Sequence, residues 1–184
     1  MSRVIHKDVM LDLETLGRKP GCVILSIGAC RFGTKGRITD KFYTVINTAS
    51  SLRAGLQQDP ETVKWWEVQS KEAQTVLKQA RTKRHSLPLR SALVMFSEWL
   101  GPNQVVWGNG SDFDQPILVA AYETIGEPVP WKFYNSACYR SIKRFMPALR
   151  ATRLGTHHNA LDDALTQAKH LQAILKATGL VLPP

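Results

Sequence analysis

Four acidic residues and one histidine are the side chains of this 184-residue chain best suited to chemistry. Asp12 and Glu14 share one segment, Asp114 lies in a second, and His158 and Asp163 lie in a third. Carboxylates gathered in an apolar setting cost free energy, because desolvation and like charges both raise their pKa values. A fold that gathers several of them usually does so to bind divalent cations, and a cation pair held by Asp and Glu oxygens can cleave phosphodiesters.

The first acidic pair lies at the end of a predicted strand. Val9–Leu13 alternates apolar and polar residues, so Asp12 and Glu14 point to the same face, about 7 Å apart at the backbone. This spacing suits two carboxylates that share metal ions about 3.5–4 Å apart. The alternative is an acidic solvent face on a half-exposed strand. The turn containing Gly17 favours a strand that opens into a cleft.

The second acidic segment lies at the start of a helix predicted over Asp114–Ile125. Of Asp112 and Asp114, one is expected to cap this helix. The other is expected in its first turn, where the positive helix end favours an anion. Acids at helix starts are common for structural reasons. This pair therefore indicates a functional site only in combination with the other two segments.

The third segment opens the last predicted helix, Asn159–Thr178. Asp162 lies at the N3 position, as in a capping box, and so has a structural explanation. Asp163 flanks the apolar stripe of the helix, which favours it as the metal ligand. His158 precedes the helix and could accept a proton from water near neutral pH, whereas His157 is interpreted as a structural residue.

The elements that must position these residues alternate between strands and helices. Three strands are expected to form an antiparallel meander, and a fourth strand follows later. The predicted strands are Val9–Leu13, Cys22–Phe32, Phe42–Ile46 and Gln104–Gly108, and the predicted helices are Asp59–Trp66, Lys71–Ala80, Leu89–Leu100, Asp114–Ile125 and Asn159–Thr178. Gly28 inside the second strand indicates a bulge or a close contact. Residues 131–153 are interpreted as an irregular helix plus loop, and the whole chain, 1–184, as one α/β domain with a mixed sheet.

Charge and composition point to a polyanionic partner. The net charge is +9, and the segments 73–97 and 128–161 contain no acid. Such basic segments attract polyanions by releasing counterions. No apolar run approaches the ~20 residues that span a bilayer, so no membrane partner is expected. The three cysteines show no metal-ligand spacing and are expected to be reduced, packed thiols in a cytoplasmic protein.

In this order, the acidic segments resemble the motifs of the DEDDh 3′–5′ exonucleases of the DnaQ-like, ribonuclease H-like superfamily. Asp12–Thr15 matches the Asp-x-Glu-Thr strand end of the first motif. Phe113-Asp114 matches the second motif, and His158 followed five residues later by Asp163 matches the third. Each motif is short, but the ordered set is specific and covers most of the chain.

Two further segments, 59–66 and 107–114, look closest to a phage and bacterial branch that includes relatives of an actinobacterial exoribonuclease. The chain also departs from many relatives. Gly108-Asn109-Gly110 stands where they have His-Asn, and Arg140 lacks the acid that often precedes it. These differences concern the substrate channel more than the metal site.

The resemblance implies a five-stranded mixed sheet flanked by helices, with two Mg²⁺ or Mn²⁺ ions. Asp12, Glu14, Asp114 and Asp163 would hold the metals, and His158 would take the proton of the attacking water. The products would be nucleoside 5′-monophosphates released from single-stranded 3′ ends. The phage-like resemblance slightly favours DNA over RNA as the substrate.

Substrate contacts are expected beside the motifs, at Thr15, Leu16, Trp66 and Asn109. Trp65 and Trp66 could each stack on a base, worth ~1–3 kcal/mol. Core packing is the alternative for either ring, and Trp66 is preferred as the stacking residue because it lies nearer the predicted cleft.

Other functions stay open at this point. The chain could be an exoribonuclease, a hydrolase that trims short oligonucleotides, or a non-catalytic nucleic-acid-binding module that kept the fold. A degraded site should have lost at least one of the five residues, and none is lost, which favours an enzyme. The sequence is compatible with a monomer or a homodimer.

Overall fold

The computed structural model describes residues 7–183, and a five-stranded sheet forms the centre of this part of the chain. The strands are β1 (Asp8–Thr15), β2 (Ile24–Phe32), β3 (Lys41–Val45), β4 (Val105–Gly108) and β5 (Ser136–Cys138). They lie in the order β3-β2-β1-β4-β5. β2 pairs antiparallel with β1 and β3, whereas β4 pairs parallel with β1 and β5. The prediction of an α/β fold with a mixed five-stranded sheet is confirmed.

The predicted meander of three antiparallel strands is also confirmed, with β1 longer than expected at both ends. Glu14 therefore lies within the strand and not after it. Strand β5 was not recognised from residue patterns, because three partly exposed residues carry no readable alternation. It lies inside the segment 131–153, which was predicted to be helix and loop.

Seven α-helices flank the sheet within residues 7–183. They are α1 (Thr48–Arg53), α2 (Pro60–Glu67), α3 (Thr75–Ala80), α4 (Leu89–Leu100), α5 (Asp114–Ile125), α6 (Tyr139–Lys143) and α7 (Ala160–Thr178). Helices α4 and α5 have the predicted bounds. Helix α1 was missed because its short, polar sequence has no apolar period. None of the helices in the described part of the chain combines the length and apolar character that a bilayer crossing needs.

The two faces of β1 pack against different layers. Leu11 lies in the larger hydrophobic core, whereas Met10 packs in a second core with Ala164 of α7. Side chains alternate between the faces of a strand. Asp12 and Glu14 therefore share the face of Met10 and point toward α7.

Gly28 of β2 allows α7 to approach the sheet. A Cβ atom at this position would lie 2.1 Å from the carbonyl carbon of Ala160. Gly28 is the register partner of Asp12, so this backbone contact places the first turn of α7 beside the acidic end of β1. The expectation of a close contact at Gly28 is confirmed.

The cysteines are free thiols, as expected. Cys22 and Cys30 are buried and Cys138 is half-buried. Burial raises the pKa of Cys22 to about 11 and that of Cys30 to about 12. These two thiols are therefore neutral packing groups and not nucleophiles.

Candidate active site

The end of β1 places two carboxylates in a cleft under α7. Glu14 is only 7% exposed, and Asp12 is half-buried. Gln167 of α7 donates a hydrogen bond from Nε2 to Asp12 Oδ1 at 2.7 Å. The pairing register with β2 shifts between Glu14 and Thr15, so the strand end opens into the cleft as predicted.

Asp114 is the first residue of α5 and is 2% exposed. Its Oδ1 accepts from the backbone N–H of Leu13 at 3.1 Å, and its Oδ2 accepts from that of Asn109 at 3.0 Å. These donors hold the carboxylate between β1 and the loop after β4. The expectation that one aspartate caps the helix is wrong, because the N-cap is Phe113, without a side-chain hydrogen bond, and Asp112 is exposed.

Asp163, in the first turn of α7, joins the two acids of β1. The backbone N–H of His158 donates to Asp163 Oδ2 at 3.0 Å, and the guanidinium of Arg153 pairs with Oδ1. Ligand atoms of Asp163, Glu14 and His158 all lie within 4.8 Å of one another. The structure thus brings the third segment to the first.

Asp162 points away from this group. Its Oδ2 accepts from the backbone N–H of Thr156 at 2.7 Å, and its carboxyl group lies over Gly155, where a Cβ would come within 2.2 Å. Asn159 caps the helix, as predicted, by accepting from two backbone N–H groups of the first turn. Asp162 is structural, but it binds the preceding loop and does not complete a capping box.

His158 has a left-handed backbone, with φ of 60°. Its ring lies edge-on to that of Trp65, with 4.9 Å between the centroids. Burial, together with the charge of His157, lowers the pKa of His158, so its imidazole is neutral near pH 7 and can accept a proton. His157 itself is exposed at the cleft and is not packed in the core, in contrast to its interpretation as a structural residue.

The acidic residues repel one another strongly. Burial raises the pKa of Asp12 well above its ordinary value, and the charges of Asp114, Glu14 and Asp163 add to this effect. Burial, with Asp163 and Asp114 nearby, raises the pKa of Glu14 to about 8. Burial also raises the pKa of Asp114 to about 6, although backbone N–H groups oppose it. Added positive charge would relieve this repulsion.

The donor set fits a divalent cation. Carboxylate oxygens are the ligands that suit Mg²⁺ and Mn²⁺. Gln167 lines the cleft, and its buried Oε1 has no hydrogen-bond partner among the described residues. A hydrated cation beside Asp12 would supply donors to this oxygen. Gln167 was missed from the sequence, although its position four residues after Asp163 places both on one helix face.

The cleft lined by Asp12, Glu14, His158, Asp163 and Gln167 has a volume of about 610 Å³. Asn109, predicted to contact substrate, lies in its wall. Thr15 also borders it, but its hydroxyl donates to the carbonyl of Gly17 at 2.6 Å. The prediction for Leu16 is wrong, because this side chain is 2% exposed and packs in the core.

The two neighbouring tryptophans have opposite environments. Trp66 is 1% exposed, and its Nε1 donates to the carbonyl of Thr15 at 2.8 Å. The prediction that Trp66 stacks on a base is therefore wrong: its ring supports the end of β1. Trp65 is 42% exposed and lines the cleft. Successive helical residues point about 100° apart, so only one ring of the pair faces the sheet.

Three cations of the acid-free segment 128–161 reach the site. Arg153 pairs with Asp163, a contact that the sequence did not reveal because it depends on the path of a loop. Lys143 donates from Nζ to Asn109 Oδ1 at 3.3 Å. The guanidinium of Arg140 lies against the same loop after β4.

Comparisons with known proteins agree with this geometry. The model of a family described as 3′–5′ exoribonuclease Rv2179c-like domain matches residues 7–175. No curated protein sequence matches the chain.

Several solved structures have a similar fold. S. pombe Pop2p, in its Mg²⁺- and Mn²⁺-bound form, shares 16% identity with a TM-score of 0.59, over 93% of this chain and 83% of that one. The nuclease domain of 3′hExo, a DEDDh family member bound to rAMP, shares 13% identity with a TM-score of 0.59, over 99% and 98%. Cell-death related nuclease 4 (CRN-4) shares 11% identity with a TM-score of 0.51, over 96% and 68%. At these identities the similarity establishes the fold, which is ribonuclease H-like.

Proposed function

The chain belongs to the family of 3′–5′ exoribonuclease Rv2179c-like domains, and from this premise we propose that it shortens single-stranded RNA from the 3′ end with the help of divalent cations. It is a 3′–5′ exonuclease of the DEDDh type. The observation that carries the proposal is the convergence of four carboxylates and His158: Asp12, Glu14, Asp163 and His158 line one cleft, and Asp114 lies close enough to raise the pKa of Asp12. All five residues come from one chain, so the proposal requires no second subunit.

RNA is the proposed substrate for two reasons. The family is described by exoribonuclease activity, and the 3′hExo nuclease domain was solved with rAMP. DNA, slightly favoured by the phage-like resemblance of the sequence, is the alternative substrate. The products would be nucleoside 5′-monophosphates.

Asp12, Glu14, Asp114 and Asp163 would hold two Mg²⁺ or Mn²⁺ ions. When bound, such ions activate water and stabilise the charge that develops at phosphorus. The protein orients two of these carboxylates in advance. Gln167 orients Asp12, and backbone N–H groups orient both oxygens of Asp114. This preorganisation reduces the rearrangement needed for catalysis.

His158 would act as the general base through an imidazole nitrogen. Its lowered pKa keeps the ring neutral and ready to accept a proton. The hydrogen bond from its backbone N–H to Asp163 and the edge-on contact with Trp65 restrict where the ring can lie. Trp65, exposed in the cleft, would stack on the terminal base.

We also propose that residues 1–184 form a single domain that acts in the cytoplasm. The two buried thiols and the absence of disulfides among the described cysteines support a reducing compartment.

A time course with 5′-labelled RNA tests the proposed function. DNA of the same sequence is run in parallel, with Mg²⁺, with Mn²⁺ and with EDTA. We expect a descending ladder on RNA that requires metal and is slower on DNA. Faster cleavage of DNA would reverse the substrate assignment, and stalling on long strands would indicate a trimming hydrolase. Metal-independent release, or none, would overturn the proposed function.

A further inference from the structure

Two cationic side chains of α6 lie against the loop after β4, at the edge of the cleft. Lys143 contacts Asn109 through its ammonium group, and Asn109 lines the cleft. Arg140 packs against Gly110, where a Cβ would lie 3.1 Å from the guanidinium carbon. The backbone N–H of Asn109 binds Asp114, so this loop connects the cations directly to the acidic site.

Gly110 makes this close approach workable. Its φ is 145°, a backbone conformation that L side chains rarely adopt. Any side chain here would meet the guanidinium of Arg140, since the nearest atoms to a Cβ are its Cζ, Nη1 and Nη2, all within 3.2 Å. The loop therefore leaves room for a cation that would otherwise be displaced.

The protein balances the charges of Arg140 and Lys143 only in part, since Arg140 acts on Asp114 and lowers the pKa of that carboxyl group. Within residues 7–183 neither forms an ion pair, and the surrounding segment 128–161 contains no acid. Burial and the charge of Arg140 lower the pKa of Lys143. Arg153 differs, because Asp163 balances its charge. Two neighbouring cations without an ion-pair partner among the described residues form a site for an anion.

We propose that Arg140 and Lys143 bind a backbone phosphate of the substrate strand upstream of the nucleotide being removed. This inference rests on the proposed function. The cleft between Trp65 and the acids would take the terminal nucleotide. Neither cation lines that cleft, and both lie beyond Asn109 at its edge. They can therefore contact the strand where it leaves the cleft, and not the scissile phosphate.

Substrate length provides the test. A dinucleotide contains only the scissile phosphate, whereas a longer RNA with the same 3′ end also presents upstream phosphates. For Arg140→Met and Lys143→Met we expect KM on the longer RNA to rise about tenfold each, the size of one hydrogen bond to a charged group. KM on the dinucleotide and kcat on both substrates should match the wild type. The slope of log affinity against log salt should fall by about 0.7 per variant.

A matched control is Lys176→Met, which removes an exposed cation in the last turn of α7, outside the two basic segments, and should change neither KM. Equal losses on both substrates would place the pair at the scissile phosphate and overturn the inference, as would an unchanged KM on the longer RNA.

RNA binding in EDTA, measured by fluorescence anisotropy, separates the inferred phosphate site from the proposed exonuclease function. If the wild type releases no nucleotide, the proposed function fails. Weaker RNA binding by the two variants would still support the phosphate site, and unchanged binding would overturn it.

Discussion

The floor and the rim of the cleft are built in different ways. The acidic floor comes from the central strand β1 and the first turns of α5 and α7, and it consists of Asp12, Glu14, Asp114 and Asp163. The rim comes from the exposed face of α2, the loop after β4 and the five-residue helix α6, and it consists of Trp65, Asn109, Arg140 and Lys143. Three floor carboxylates, Asp12, Asp114 and Asp163, accept hydrogen bonds from the protein, whereas the rim side chains are exposed or half-buried. Turnover is therefore assigned to the floor and substrate affinity to the rim.

The largest expected effect separates two adjacent aspartates of α7. Asp163→Asn should abolish most turnover, because Asp163 lies with Glu14 and His158, whereas Asp162→Asn should remain close to wild type. His158→Ala should lower kcat by about 10²–10⁴, the usual contribution of a general base. Steady-state kinetics on RNA measures all three. Full activity of Asp163→Asn would contradict the assignment of Asp163 as a metal ligand.

The floor could be predicted from the sequence because its residues lie on long, periodic elements. Strand alternation placed Asp12 and Glu14 on one face, and helical phase separated Asp163 from Asp162. These arguments require only the regular geometry of a strand or a helix. The residues of the third motif therefore converge with those of the first, as predicted.

The rim could not be predicted, because its elements are short. Strand β5 and helix α6 carry too few residues to show a period, so the contact of Arg140 with Gly110 had no sequence signal. The choice between Trp65 and Trp66 depended on the rotation of α2 about its axis, which the Asp59 cap alone did not fix. The ion pair of Arg153 depends on an irregular loop.

The next largest expected effect separates Trp65 from Trp66, of which one affects substrate binding and the other stability. Trp66→Ala should lower the free energy of unfolding by about 3–5 kcal/mol, because it removes a buried ring. Trp65→Ala should leave stability unchanged and raise KM by the equivalent of ~1–3 kcal/mol of lost stacking. Urea unfolding and steady-state kinetics of both variants measure the contrast. A destabilised Trp65→Ala with normal KM would assign Trp65 to the core.

The smallest expected effect is a pH dependence of the metal-free protein. Folding raises the pKa of Glu14 from 4.5 to about 8, so the folded state keeps a proton that the unfolded chain releases. Stability should therefore fall as pH rises through this window, with Asp114 acting in the same direction between 3.8 and about 6. Thermal unfolding in EDTA should show Tm falling with pH, and saturating Mg²⁺ should reduce the decline. A Tm in EDTA that rises across this window would contradict the repulsion in the floor.

The most direct test is calorimetric titration of Mn²⁺ into the protein without substrate. We expect saturable binding to the wild type that is severely weakened by Asp12→Asn, Glu14→Gln, Asp114→Asn and Asp163→Asn. Binding should be retained by Asp112→Asn and Asp162→Asn, whose carboxylates lie outside the floor. Undiminished binding in the four floor variants, or no binding to the wild type, would contradict the claim that these carboxylates hold shared cations.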